Sequence, residues 1–251
     1  MGLLDIPAPL YSAIDSLLDF IPLYLRLLTW SLITAVISMA LYWLCSAQDK
    51  VASAKQRALT ARSKMSAYDG AEFGELLPLA KESLAASAQH FLVVLGPAVL
   101  SSLPALTLII WVSNHFSYSL PQAGSIISIS GLPAEALAGR ATADSEQSAY
   151  TVIWPAEDDP VPIQSRTGEP LVILPFAAGV PVLHKRLWWN TLIGNPNGYL
   201  PADAPLEELQ FELPPIEYLH LGPPWLRGWE FSYFALLILA SLAIKLIFRI
   251  H

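Results

Sequence analysis

The chain has 251 residues, 54% of them hydrophobic and only 14% charged, whereas a soluble globular domain carries about 25% charged residues. The deficit excludes an ordinary soluble domain, and a net charge of −7 argues against nucleic acid as a partner. A single cysteine, Cys45, excludes an intrachain disulfide, and without zinc-type ligand spacing no metal or other cofactor is expected.

Residues 1–26 lack the basic start of a signal peptide and carry Asp5, Asp15 and Asp19 ahead of Arg26. Leu10, Ile14, Leu17, Leu18 and Ile21 recur at helical spacing, with Ser12, Asp15, Ser16 and Asp19 on the other face. This predicts an amphipathic helix lying in a membrane interface before Pro22 redirects the chain. The other reading is an unordered tail.

Three runs then meet the length of roughly 17–25 apolar residues that a bilayer span requires. Residues 27–44 and 91–112 hold no charge, and 231–248 hold only Lys245. Spans are therefore expected at 27–46, 91–113 and 229–251, the last including a short tail. The segment 47–90 between the first two carries Lys50, Lys55, Arg57, Arg62, Lys64 and Lys81. The segment 114–228 carries five basic residues against twelve acids. Basic loops stay in the cytoplasm, so 47–90 and the C-terminus are expected inside, and 1–26 and 114–228 outside. The absence of an N-glycosylation acceptor from 114–228 points to a periplasm as that outside, and so to the inner (cytoplasmic) membrane as the expected location.

The alanine-rich stretch 48–67 reads as helix, Tyr68-Asp69-Gly70 as a break, and 72–90 as a second helix running into the next span. Val51, Ala54, Ala58 and Met65 against Leu76, Leu79 and Leu84 would form a thin seam in this cytoplasmic hairpin. It is either a solvated connector or a docking arm for another protein.

Residues 114–228 hold fifteen of the 21 prolines. Between them, runs at 125–130, 150–154, 170–176, 180–184 and 209–213 are β-branched or alternating, and 185–192 allows a helical turn. A small β-rich domain with long proline-bearing loops is expected. The Ala-, Ser- and acid-rich stretch 131–148 reads as a mobile loop or a short helix. The fold class is thus an α-helical membrane protein with three transmembrane helices, a cytoplasmic helical hairpin, and an inserted small β-rich extracytoplasmic domain.

The stretches "IPLYLRLLTWSLIT", "AQDK" with "AKQR" leaving the first span, and "LPALTLIIW" in the second give residues 14–115 a likeness to a known plan. That plan is an outer amphipathic helix, an N-out first span, a basic cytoplasmic hairpin and a second span. It resembles the Oxa1/YidC superfamily, in particular its three-helix archaeal-type members and the related ER membrane complex subunit. The resemblance implies a role in inserting or assembling other membrane proteins through a polar groove open to cytoplasm and lipid. The family's groove commonly holds an arginine within the first span, where this chain has none, and the family lacks an insert like 114–228.

Read from the residues, Ser31, Thr34, Ser38 and Cys45 fall on one side of the first span. Ser101 and Thr107 lie in the second, and Ser241 and Lys245 are four apart in the third. Such residues form either an intramembrane polar face or close-packing contacts between helices. Lys245 is near enough to the end to snorkel. Arg26, Trp225, Arg227 and Trp229 fit anchors at the membrane interface. Trp188 and Trp189 belong to a core, a partner surface or the interface. Asn195 to Tyr199 reads as a turn, and Glu157-Asp158-Asp159 as a solvated acidic turn. No nucleophile elbow occurs, and His184 and His220 have no companions at ligand spacing, so an enzyme is not expected. The partners implied are the lipid bilayer and other membrane proteins, as clients of an insertase or as fixed members of a complex.

Overall fold

The computed structural model describes residues 2–70, 73–132 and 149–249. A 3-10 turn, Leu3–Asp5, precedes helix α1, Ala8–Ser16, and then come α2, Leu23–Cys45, and α3, Gln48–Ser66. Helix α4, Phe73–Phe116, joins the second arm of the hairpin to the second apolar run without interruption. It stays helical through Pro78, Pro97 and Pro104. Six strands follow: β1, Ile126–Leu132; β2, Ala149–Ile153; β3, Val161–Gln164; β4, Pro170–Leu174; β5, Val182–His184; and β6, Glu208–Phe211. The short α5, Pro224–Arg227, leads into α6, Trp229–Ile247. The segments Leu23–Cys45, Leu76–Phe116 and Trp229–Ile247 are long and apolar enough to cross a membrane.

The fold divides into two units. One comprises Met1–Leu28 with Thr107–Tyr233, and the other Thr29–Leu106 with Phe234–His251.

The first unit is built on an antiparallel sheet of order β2-β1-β6-β5 and a separate antiparallel pair β3-β4. Alternation decides which side chains face in. Ile127 and Ile129 of β1 and Leu209 and Phe211 of β6 are buried, while Ser128 and Gln210 between them are not. Ile163, Leu171 and Leu174 from the β3-β4 pair join the same core. Phe176 stands at its centre, edge-on to Phe211 at 4.7 Å and to Trp154 at 5.6 Å between ring centroids. Fully burying a side chain of this kind contributes about 1.5–3 kcal/mol, so a domain without a disulfide is held by this cluster.

The five strand-like runs become β1, β2, β4, β5 and β6. Strand β3 is the one missed, because Pro160 precedes it, Pro162 lies within it, and proline reads as loop. It pairs only with β4, so Pro162 leaves no ladder partner unmatched on its other side. Within the helical turn expected at 185–192, the structure forms a 3-10 turn, Trp188–Thr191. Beyond Leu132, the stretch to 148 lies outside the described residues.

In the second unit, Val51, Ala54 and Ala61 of α3 are buried, and Lys64 reaches Glu82 of α4 at 3.5 Å. The expected seam is corrected at one position: Leu84 is 72% exposed and Ser83 is buried instead. Positions 76, 83 and 90 follow a seven-residue repeat that passes through Ser83 and leaves Leu84 outside.

Candidate interaction surfaces

Residues 27, 30, 31, 34 and 35 lie on one face of α2, and Leu27, Trp30, Ser31, Thr34 and Ala35 are all buried. The expected polar residues Ser31 and Thr34 are therefore inside the fold, with Thr34 Oγ1 donating to Trp30 O at 2.8 Å. Ser38 Oγ is buried beside them in sequence and has no hydrogen-bond partner among the described residues. On α4, Ser101 is buried and returns its hydroxyl to Ala98 O at 3.0 Å. Ser241 is partly exposed, and Lys245 is exposed in the last turn of α6. Cys45 is exposed and free. Small hydroxyl residues that bond to their own helix backbone let neighbouring backbones approach. They leave little polarity for a ligand.

An apolar groove of about 490 Å³ does open in the second unit. It is lined by Val36, Met39, Ala40 and Trp43 of α2 with Ile244 and Phe248 at the end of α6. A second groove of about 570 Å³ runs between α3 and α4, with the charged Arg57, Lys64 and Glu82 and the small Ala61, Ala85 and Ala86 among its lining residues.

In the first unit, the N-terminal segment is fastened by its polar side. Asp15 is buried and pairs with Arg26, whose guanidinium also reaches Asp19 at 2.7 Å. Tyr11 shares a hydrogen bond with Thr107 at 2.8 Å, and Trp111 Nε1 donates to Ser12 Oγ at 2.9 Å. The 3-10 turn before α1 meets the β domain. Leu4 N donates to Leu192 O at 2.9 Å, and Asp5 Oδ2 accepts from both Gly2 N at 2.8 Å and Gly194 N at 2.7 Å. The backbones approach closely enough that a Cβ at Gly2 would lie 2.5 Å from Leu192 O. Thus Thr107, expected with the intramembrane polar residues, and Arg26, expected as an anchor, both hold α1.

The remaining anchors divide. Trp225 is exposed, and Arg227 bonds Gly222 O at 3.0 Å and lies 3.5 Å from Glu217. Trp229 is buried and edge-on to Tyr233 at 5.7 Å. Tyr218 closes this end, donating to Phe116 O at 2.9 Å, and burial pushes its phenol pKa up, with the Arg26 charge opposing. Trp188 is 82% exposed and Trp189 36%, its ring 5.1 Å from His184.

The loop bearing Trp188 is rigidly built. Asn190 is buried, accepts from Leu187 N at 2.7 Å and donates to Ile193 O at 3.1 Å. The Asn195–Tyr199 turn is likewise structural: Asn197 Nδ2 donates to Ala178 O, Asn195 Nδ2 donates to Val182 O, and Gly198 takes φ +88°. These amides are spent on backbone groups. Among the described residues, no three His, Cys, Asp or Glu side chains come together as a metal site.

Fold and surfaces together are those of a chain with three helices long and apolar enough to cross a membrane and a small antiparallel β unit. No family model, curated protein or solved structure matches the chain.

Proposed function

We propose that the chain is a non-enzymatic assembly protein of the bacterial inner membrane, assisting insertion or assembly of other membrane proteins in the manner of the Oxa1/YidC superfamily. The observation that carries this reading is the lateral apolar groove between α2 and α6. A groove lined by Val36, Met39, Ala40, Trp43, Ile244 and Phe248 suits an apolar client helix. Packing with small side chains, rather than hydrophobic expulsion, is what associates helices in lipid. The basic α3 and the α3–α4 groove face the cytoplasm on this reading, where a nascent client arrives.

A second reading is favoured by a separate observation. Ser31 and Thr34 are inside the fold, so the first span offers them to no client. On that view the chain is a fixed accessory subunit that uses the same groove for one permanent neighbour. Photocrosslinkers at Val36 and Trp43, activated in native membranes during synthesis, separate the two. Insertion activity predicts many short-lived adducts that fade when translation stops. One stoichiometric adduct that persists identifies an accessory subunit. Absence of any protein adduct from well-expressed variants rejects both.

A further inference from the structure

We propose that the β domain is seated on the membrane through one apolar patch shared by the N-terminal helix and the Trp188 turn. The occupant of that patch is the lipid leaflet on the β-domain side. This goes beyond the assembly role and rests only on the apolar helices spanning a bilayer.

Four observations carry it. First, α1 is fastened through residues of its polar side: Tyr11, Ser12 and Asp15 are bonded to Thr107, Trp111 and Arg26, and Asp15 is buried. The opposite side, Leu10 and Leu17, is exposed, Leu17 to 73%. A helix ordered through its polar face, with its apolar face uncovered, suits an interfacial helix.

Second, the patch continues without a break in the chain into a membrane helix. Leu17 is six residues before α2 begins at Leu23. Trp111, which holds α1, is five residues before the end of α4 at Phe116, or about 8 Å along the axis at 1.5 Å per residue. Thus α1 lies beside the last turns of one spanning helix and the first turn of another, which is headgroup depth.

Third, the Trp188 turn is tied to the same segment. The bonds of Leu4 to Leu192 and of Asp5 to Gly194 put exposed Leu3 and Ile6 next to exposed Leu192. Asn190 closes the loop that projects Trp188.

Fourth, the acids that would repel a leaflet are each bonded within the chain, although Asp19 stays 65% exposed. Asp5 caps two backbone amides, and Asp15 and Asp19 pair with Arg26. Exposed Arg186 stands two residues before Trp188. A cation beside an indole is the composition of the interfacial belt.

The test uses the full chain in lipid-only nanodiscs in a Cys45→Ser background, with spin labels introduced by Trp188→Cys, Leu10→Cys and Asp158→Cys. Positions 188 and 10 should collide freely with oxygen and only rarely with a water-soluble nickel chelate. Position 158, in the exposed turn after β2, should show the reverse. As a label-free measurement, Trp188→Phe should lose part of the tryptophan quenching produced by lipids brominated near the headgroup. Chelate access at 188 equal to that at 158 overturns the proposal, as does quenching unchanged in Trp188→Phe. Protection at 188 that appears in native membranes but not in lipid-only nanodiscs also overturns it, by assigning the patch to a protein.

Discussion

Arg26 shows how a single residue is reassigned by its neighbours. At the edge of an apolar run it reads as an anchor reaching for headgroups. In the structure its side chain is 17% exposed and committed to Asp15, itself 9% exposed. Removing one member of a buried pair leaves the other charge uncompensated, which costs about 3–5 kcal/mol, whereas replacing both with neutral groups costs far less. Arg26→Met should therefore lower the thermal midpoint in detergent by several degrees, and Arg26→Met with Asp15→Asn should recover most of the loss. Asp19 is 65% exposed on the side chain, and Asp19→Asn should change the midpoint little, since exposed pairs contribute about 0–1 kcal/mol. Equal losses in Asp15→Asn and Asp19→Asn would show that the buried pair has no special weight.

Among the elements, the hairpin and the β strands were legible for different reasons. Helix α3 announces itself by alanine, lysine and arginine without glycine or proline, so intrinsic propensity suffices. Its contact face is set by small residues, Ala54 and Ala61, whose burial gives almost no hydropathy signal. For that reason the sequence points to Leu84, the larger apolar residue nearby, while the packing uses Ser83. The consequence is measurable. Ala54→Leu inserts three carbons into a closed contact and should destabilise the chain by about 1–3 kcal/mol. Leu84→Ala, at an exposed position, should stay within about 0.5 kcal/mol of wild type in water-exposed surroundings. Paired melts of the two variants read the difference, and a larger effect from Leu84→Ala would restore the leucine seam. Strands β1 and β6 are visible because their inward and outward positions alternate. Strand β3 is not, because proline hides an edge that pairs on one side only.

For the molecule as a whole, the first unit is assembled from the N-terminal segment, Met1–Leu28, and the long stretch Thr107–Tyr233. Its bonds join Asp5 to Gly194, Tyr11 to Thr107 and Tyr218 to Phe116. The β domain thus has a core of its own but borrows its rim from elsewhere in the chain. The Gly194 amide is the sharpest reporter, since its acceptor is the Asp5 carboxylate. In Asp5→Ala, or in a fragment limited to 114–228, this amide should exchange with solvent much faster, while those of Leu209 and Phe211 in β6 stay protected. Hydrogen exchange read by mass spectrometry at 190–196 and 208–212 checks this. Unchanged protection at 190–196 would mean that the β domain orders that loop without the N-terminus.

The sequence by itself determined the apolar runs, the hairpin between the first two, and a β-rich insert. Each depends on local composition or periodicity, which one segment carries unaided. It also placed an amphipathic pattern at 10–21 and left Trp188 and Trp189 to a core, a partner surface or the membrane interface. Only the tertiary structure decided which face of α1 is engaged, because a helical wheel is symmetric between polar-in and polar-out until partners exist. The partners are Thr107, Trp111 and Arg26, up to 99 residues away in sequence. Only tertiary structure, too, brought Asp5 to Gly194 across 189 residues, turning a short N-terminal segment and a distant tryptophan turn into one surface. Long-range contacts of this kind leave no periodic trace in either segment, because each depends on a partner far away in the chain.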